Sequence, residues 1–250
     1  MTTRAIEALR ADHEALVAAA ERFTDDDWTT PSGCAGWAVR DVVAHMAQLF
    51  RQMVDPGSLP PADPAGTEAT QERFVDAVRD VAPARILADY RELTAAALPI
   101  LERLQGRDEP LDLGDLGTHP RHLLANAYSF DHFTHIRADM LGPWGPLPQE
   151  APPADEVRVG AALDWMLPGA AQMNSQAFDG LEGAVSLVLT GPAAASAVYG
   201  PEDEPAATVT SSSTDFVLWG TKRRPWRDLD VAITGDTELG ARFCDAVHVF

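Results

Sequence analysis

Cysteine and positive charge are both scarce in this sequence. Its 250 residues include two cysteines, Cys34 and Cys244, far apart and outside any CxxC pattern. That spacing supports neither a disulfide scaffold nor a thiolate zinc site, and leaves reduced, structural thiols as the expectation. Lysine and arginine total 19 against 38 aspartates and glutamates, a formal charge of −19. Such an acid excess repels phosphate backbones and anionic lipid, so neither nucleic acid nor a membrane surface is an expected partner. An anionic ligand would need a local basic exception. Long apolar runs are missing too: the longest charge-free stretch, 183–201, is broken by Gly191-Pro192 and ends on Gly200-Pro201, which makes a poor membrane helix. Residues 1–10 are charged and amphipathic and lack the apolar core of a signal peptide, so a cytoplasmic protein is expected. No internal repeat is visible.

What is present suits a folded chain: 46% hydrophobic and 23% charged residues over a length that accommodates two domains. Ile6, Leu9, Leu16, Val17, Ala20 and Phe23 recur at helical steps, predicting an amphipathic helix over 5–23. A second is predicted from Val39 to about Met53, with Asp41 in its first turn, where a carboxylate suits the helix dipole. Four prolines and two glycines in 55–66 predict a loop, and a short helix follows over 68–80. Pro83 opens a third long helix with the stripe Leu87, Tyr90, Leu93, Ala97, Leu101 and Leu104, kinked at Pro99. Thr118-His119-Pro120 reads as the start of a fourth, closed by Gly142-Pro143. Four long amphipathic helices argue for an antiparallel bundle over 1–150. Five prolines within 142–153 read as a domain boundary. A helix over 155–166 follows, then strands at 184–190, 196–199, 208–211 and 229–234, with helices at 214–220 and from Thr237. The class is therefore α+β: a bundle, then a small α+β domain over 151–250.

Four of the seven histidines fall within the fourth predicted helix. Asp131 and His135 stand four apart, stacked on one face that Leu124 and Tyr128 continue into the apolar stripe. An Asp and a His facing a bundle core are costly unless paired or bound to something. His45 holds a similar inward place on the second helix, inside Val42-Val43-Ala44-His45-Met46. Three N/O donors from two helices suit a divalent ion with one open position, with zinc the first candidate. An intrahelical Asp131–His135 hydrogen bond beside a satisfied core His45 is the plain alternative, and spacing alone leaves it open.

The run from Gly33 through Trp37, Arg40 and Asp41 to His45 resembles the signature of the mycothiol-dependent maleylpyruvate isomerase family, within the wider DinB-like metal-binding bundles. In that family the closing histidine is a metal ligand, and a later Glu-x3-His pair supplies the other two. The matching stretch here is Phe130 to Asp139, so the resemblance implies a ligand set of His45, Asp131 and His135. Residues 184–191, 215–220 and 235–243 are similar to the family's sterol-carrier-like C-terminal domain. Two departures stand out. Asp131 replaces the family's Glu and pulls the carboxylate back by ~1.5 Å; Ala38 replaces a hydroxyl N-cap, at a cost of about 1 kcal/mol to the second helix. His132, beside that face, could replace a ligand or support one. His13, His119 and His122 are expected near helix ends or on outer faces, without a role.

Lys222-Arg223-Arg224 with Arg227, interleaved with Trp219 and Trp226, is the dense basic patch of this acidic chain. Arginine's planar fork suits a carboxylate, and a solvated turn balancing nearby acids is the alternative. The resemblance implies that an arginine from this loop reaches the active-site cleft, and Arg224 is the closest match. It also implies mycothiol as thiol cosubstrate: the thiolate adds to an activated carbon–carbon double bond, the new single bond rotates, and thiol is expelled. Without expulsion the same apparatus is an S-transferase. A metal-dependent hydrolase and a non-catalytic, metal-braced module for a small molecule or lipid are the rival classes.

Overall fold

Helix α1 (Thr3–Ala20) buries the predicted stripe of Ile6, Leu9 and Leu16. It opens a computed structural model that describes residues 3–201 and 204–250. The short α2 (Asp25–Thr29), capped by Thr24, leads through the Pro31–Trp37 loop to α3 (Val39–Val54). Ala38 offers α3 no side-chain cap. Asp41 compensates by accepting the Ala38 N–H at 2.9 Å and pairing with Arg79 at 3.3 Å, so the first turn is braced from within. The proline-rich 55–66 stretch is a loop with one 3-10 turn, followed by α4 (Thr67–Asp76) and α5 (Pro83–Leu104).

The fourth long helix starts later than predicted. Thr118–Pro120 is strand β2, paired antiparallel with β1 (Pro110–Asp112). A 3-10 turn over Arg121–Leu123 then leads into α6 (Leu124–Thr134). A hydroxyl followed by proline fits a strand end as well as a helix start; the partner strand decides. From His135 to Met140 the helix widens into a π turn, and it stops before Gly142-Pro143 as expected. Helices α1, α3, α5 and α6 enclose the first core, with Leu9, Val42, Phe50, Tyr90, Leu101 and Ile136 at its centre.

Strands β3 (Leu141–Gly142) and β4 (Leu147–Glu150) lie in the proline-rich connection to α7 (Glu156–Met173), which is capped by Asp155 and runs beyond the predicted end, through Pro168. Helix α7 is a shared wall. Ala161 reaches into the bundle core, while Val159, Trp165 and Met166 join Phe130 and Phe133 in a second core. After α8 (Ser175–Asp179) come β5 (Ala184–Thr190), β6 (Ala195–Tyr199), β7 (Pro205–Ser212), α9 (Ser213–Gly220), β8 (Ala232–Gly235) and α10 (Thr237–Ala246). The sheet order is β6-β5-β7-β8, with β5 and β7 parallel and both outer pairs antiparallel. Phe178, Tyr199 and Phe243 stack with centroids 5.1 to 5.4 Å apart between sheet and helices. Strand β8 begins three residues after the predicted Leu229 because a 3-10 turn occupies Trp226–Asp228 and Leu229 caps it. Among the described residues, no helix is long and apolar enough to cross a membrane.

Candidate metal centre

Helix α3 carries His45 and α6 carries Asp131 one turn before His135, which sits where the α-helix opens into the π turn. The three side chains converge. His45 Nε2 lies 3.0 Å from Asp131 Oδ1, and His135 Nε2 lies 3.4 Å from the same oxygen. The two rings meet edge to face with centroids 4.9 Å apart. His45 is 6% and His135 8% exposed. The shorter Asp131 thus still reaches both imidazoles.

This donor set suits a cation. His135 Nδ1 lies 2.7 Å from Asp139 Oδ2, so that nitrogen is the donor, and Nε2 faces the Asp131 carboxylate, where a second proton or a metal ion can sit. Two electron-rich groups aimed at each other are stable only with a proton or metal ion between them. Asp131 Oδ2 and His45 Nδ1 are buried with no hydrogen-bond partner. One donor atom from each of the three residues falls within a 4.8 Å cluster, the span of a single coordination sphere. Burial opposes charge on His135, but the Asp131 and Asp139 carboxylates outweigh it and hold its pKa well above the ordinary histidine value. Burial by itself would raise Asp131; facing His135 and His45 holds it well below the carboxylate range.

Further residues close on the site: Arg223, which the sequence offered only as part of the basic patch, and Asp139 and Cys34, to which it gave no role there. Asp139, 1% exposed, receives Arg223 Nε at 2.9 and 3.0 Å and its Nη2 at 2.6 Å. Burial opposes the Asp139 charge, yet the contacts from His135 and Arg223 hold its pKa far below normal. Cys34 Sγ lies 3.6 Å from His135 Nδ1, and the neighbouring Gly33 N–H donates to the Asp139 carbonyl at 2.9 Å. Applied once more, the four-residue step that links Asp131 to His135 leads to Asp139.

A family profile described as the mycothiol maleylpyruvate isomerase N-terminal domain matches residues 9–136, just over half of the chain. The chain belongs to this family. Among solved structures it is similar to the mycothiol-dependent maleylpyruvate isomerase, with a TM-score of 0.61 and 15% identity over 94% of this chain and 93% of that one. A mutant of that enzyme with a histidine replaced by alanine matches over the same shares, with a TM-score of 0.56 and 13% identity. At these identities the likeness establishes a common fold, α+β from end to end. No curated protein matches.

The stretch matched to the maleylpyruvate isomerase family contains His45, Asp131 and His135 and stops short of Asp139 and the basic loop. Arg224 lies beyond it, exposed, on the rim of a cleft of about 240 Å³ that it shares with Gly33, Ala138, Asp139, Trp144, Leu218 and Arg223. The cleft is lined by residues of both halves of the chain, and Asp139, the Nδ1 partner of His135, forms part of its wall. Among the described residues Arg224 has no acidic partner, whereas Arg223 is committed to Asp139. His132 lies beside the centre, with Nδ1 3.5 Å from Asp131 Oδ2; its Nδ1–H donates to the Tyr128 carbonyl at 2.9 Å, and the ring packs on Phe50 and Tyr90. His119, expected on an outer face, is instead buried on β2 against Trp165, with Nε2 2.9 Å from the Leu116 carbonyl. His13 is partly buried against Tyr90, and His122 sits beside Asp108 at 3.0 Å.

Proposed function

We propose that this chain is a metal-dependent isomerase or S-transferase that uses a low-molecular-weight thiol, mycothiol, on a small electrophilic substrate bearing a carboxylate. The observation that carries this reading is the meeting of His45 Nε2 and His135 Nε2, from separate helices, at one carboxylate oxygen of Asp131. Family membership supports the thiol-dependent isomerase class. His45, Asp131 and His135 would hold the ion, zinc being the first candidate. A divalent ion with three protein ligands keeps a position open and favours the thiolate form of a thiol placed there.

The rest of the site is built from the chain's own residues. Arg224 offers an unpaired guanidinium at the cleft rim, where it would grip a substrate carboxylate at two points. Trp144 and Leu218 line the same cleft and would supply apolar surface beside a bound substrate. Thiolate addition forms a carbon–sulfur bond and moves the alkene electrons onto the conjugated carbonyl. After rotation, collapse of that charge expels the thiolate and restores the double bond in trans geometry; protonation of the carbanion with the sulfur retained gives an S-conjugate instead. Two unpaired cysteines suit the reducing cytoplasm in which such a thiol is available. Elemental analysis of the purified protein tests the proposal, alongside His45→Ala and with a thiol titration. One metal equivalent in the parent, lost in the variant and perturbed by thiol in the parent alone, is the expected result. A folded parent that takes up no metal contradicts it.

A further inference from the structure

The Nδ1 side of His135 is built as carefully as its Nε2 side, and much of it comes from the other end of the chain. Asp139 accepts from His135 Nδ1 at 2.7 Å and is itself gripped at both oxygens by Arg223, 84 residues along the chain in the loop after α9. That loop is shaped to aim Arg223 at the bundle. Lys222 adopts a left-handed φ of 59°, and its ammonium donates to the terminal carbonyls of α10, Cys244 at 3.3 Å and Asp245 at 2.8 Å. The Arg223 N–H then donates to the Leu218 carbonyl at 2.9 Å. From the opposite side the backbone of Gly33 presses on Asp139, so that a Cβ at position 33 would stand 2.6 Å from Asp139 Oδ1 and 2.9 Å from its Cα. Asp139 has little room to rotate.

A histidine that binds a metal through Nε2 needs its proton on Nδ1 and its ring plane fixed; a carboxylate at Nδ1 does both and strengthens the ligand. Resting on the metal reading above, we infer that Arg223 is a positioning residue for His135: it orients Asp139, and through it the C-terminal domain sets the ring plane and tautomer of a ligand carried by the bundle. Arg223 and Arg224 then have separate tasks. Arg223 holds Asp139 on the Nδ1 side of His135, and Arg224, at the rim of the same cleft, has no acidic partner among the described residues.

The test is metal affinity, read by Co²⁺ competition against a chromophoric chelator on metal-stripped protein. Asp139→Asn and Arg223→Met should each weaken Co²⁺ binding about 10- to 100-fold. Arg223→Lys, which keeps the charge but loses the fork, should fall between, and Arg227→Met on the same loop should match the parent. Because Arg223 acts through Asp139, the double variant should bind as Asp139→Asn does, within about twofold. Parental affinity in Arg223→Met, or additive losses in the double variant, overturns the inference. If His45→Ala abolishes binding while Arg223→Met leaves it intact, the metal reading stands and the positioning role falls. A parent that binds no Co²⁺ removes both. Should Arg223→Met fail to fold, Arg223→Lys carries the comparison.

Discussion

Asp12 and Arg137 form a two-point ion pair inside the protein, with Oδ2 to Nη1 at 3.0 Å and Oδ1 to Nη2 at 2.8 Å. Both residues are at most 2% exposed. Arg137 lies within the π turn and also donates to the carbonyls of Pro152 and Pro153, so one side chain ties the turn below His135 to α1 and to the linker leading into α7. Arg158 adds a second cation on Asp12 at 2.8 Å.

Removing the anion would leave the enclosed Arg137 without a counter-ion, while Arg158 keeps Asp155. Asp12→Ala is therefore expected to lower unfolding stability by about 3–5 kcal/mol, the usual penalty for an uncompensated buried charge. Urea unfolding of variant and parent checks it. A loss under about 1 kcal/mol would show the pair to be hydrated and inconsequential.

Gly33 and Gly36 share a loop but should respond differently to alanine. At Gly33 the added methyl collides with Asp139, so Gly33→Ala should cost about 1–3 kcal/mol and also weaken metal binding. Gly36 has φ 84° and no atom within 4 Å of its would-be Cβ. Gly36→Ala should therefore cost about 1–2 kcal/mol through backbone strain and leave metal affinity untouched. Equal effects on metal binding would count against the packing argument.

Burial, with smaller contributions from His132, Arg91 and Arg10, pushes the His13 pKa down to about 4. A depressed histidine favours the fold in its neutral form. Above about pH 6.5 neither folded nor unfolded chain is protonated at this site, and its neutral form imposes no penalty. As pH falls from there towards 4 the unfolded chain takes up the proton first, and stability declines by at most ~3 kcal/mol. Chemical denaturation of parent and His13→Gln at pH 7, 5.5 and 4 isolates the effect: the parent should lose more than the variant over this range. Parallel curves would refute it.

Arg224 is exposed and unpaired, so Arg224→Met should leave stability within about 0.5 kcal/mol of the parent and metal content unchanged. For a carboxylate substrate that the chain turns over, kcat/KM should fall about 10- to 100-fold, the worth of a charge-assisted hydrogen bond of about 1.5–3 kcal/mol. Steady-state kinetics against an uncharged ester of the same substrate separates recognition from general damage. The ester should be indifferent to the change.

The parts of this protein that rest on local periodicity were legible in its sequence. Helices α1, α3 and α5 appear at or near their predicted positions because their apolar residues recur at helical steps and proline marks the start of α5. Spacing put His135 one turn after Asp131 and His45 in an apolar stripe, but left a plain hydrogen bond open; the choice of the three as the ligand set came from the resemblance to the family. Asp139 carries the same spacing one turn further on, but nothing in its local sequence sets it apart from an exposed carboxylate. Asp12 did carry a signal, lying three residues after Leu9 and four before Leu16 on the buried face of α1, where a charge demands a partner. What no spacing could reveal was the identity of that partner, Arg137, at a separation of 125 residues. The choice between Arg223 and Arg224 was hidden similarly: it depends on the left-handed turn at Lys222, where the type of residue gives no warning. Thr118–Pro120 went to a strand instead of a helix because Pro110–Asp112 folds back beside it, a tertiary fact.

X-ray absorption at the zinc edge of the zinc-loaded protein, with and without saturating thiol, addresses the centre most directly. The account predicts nitrogen and oxygen neighbours alone in the resting protein. On adding thiol, one sulfur should appear at about 2.3 Å, and His45→Ala should show none. A first shell unchanged by thiol, or closed by a fourth protein ligand, would contradict it.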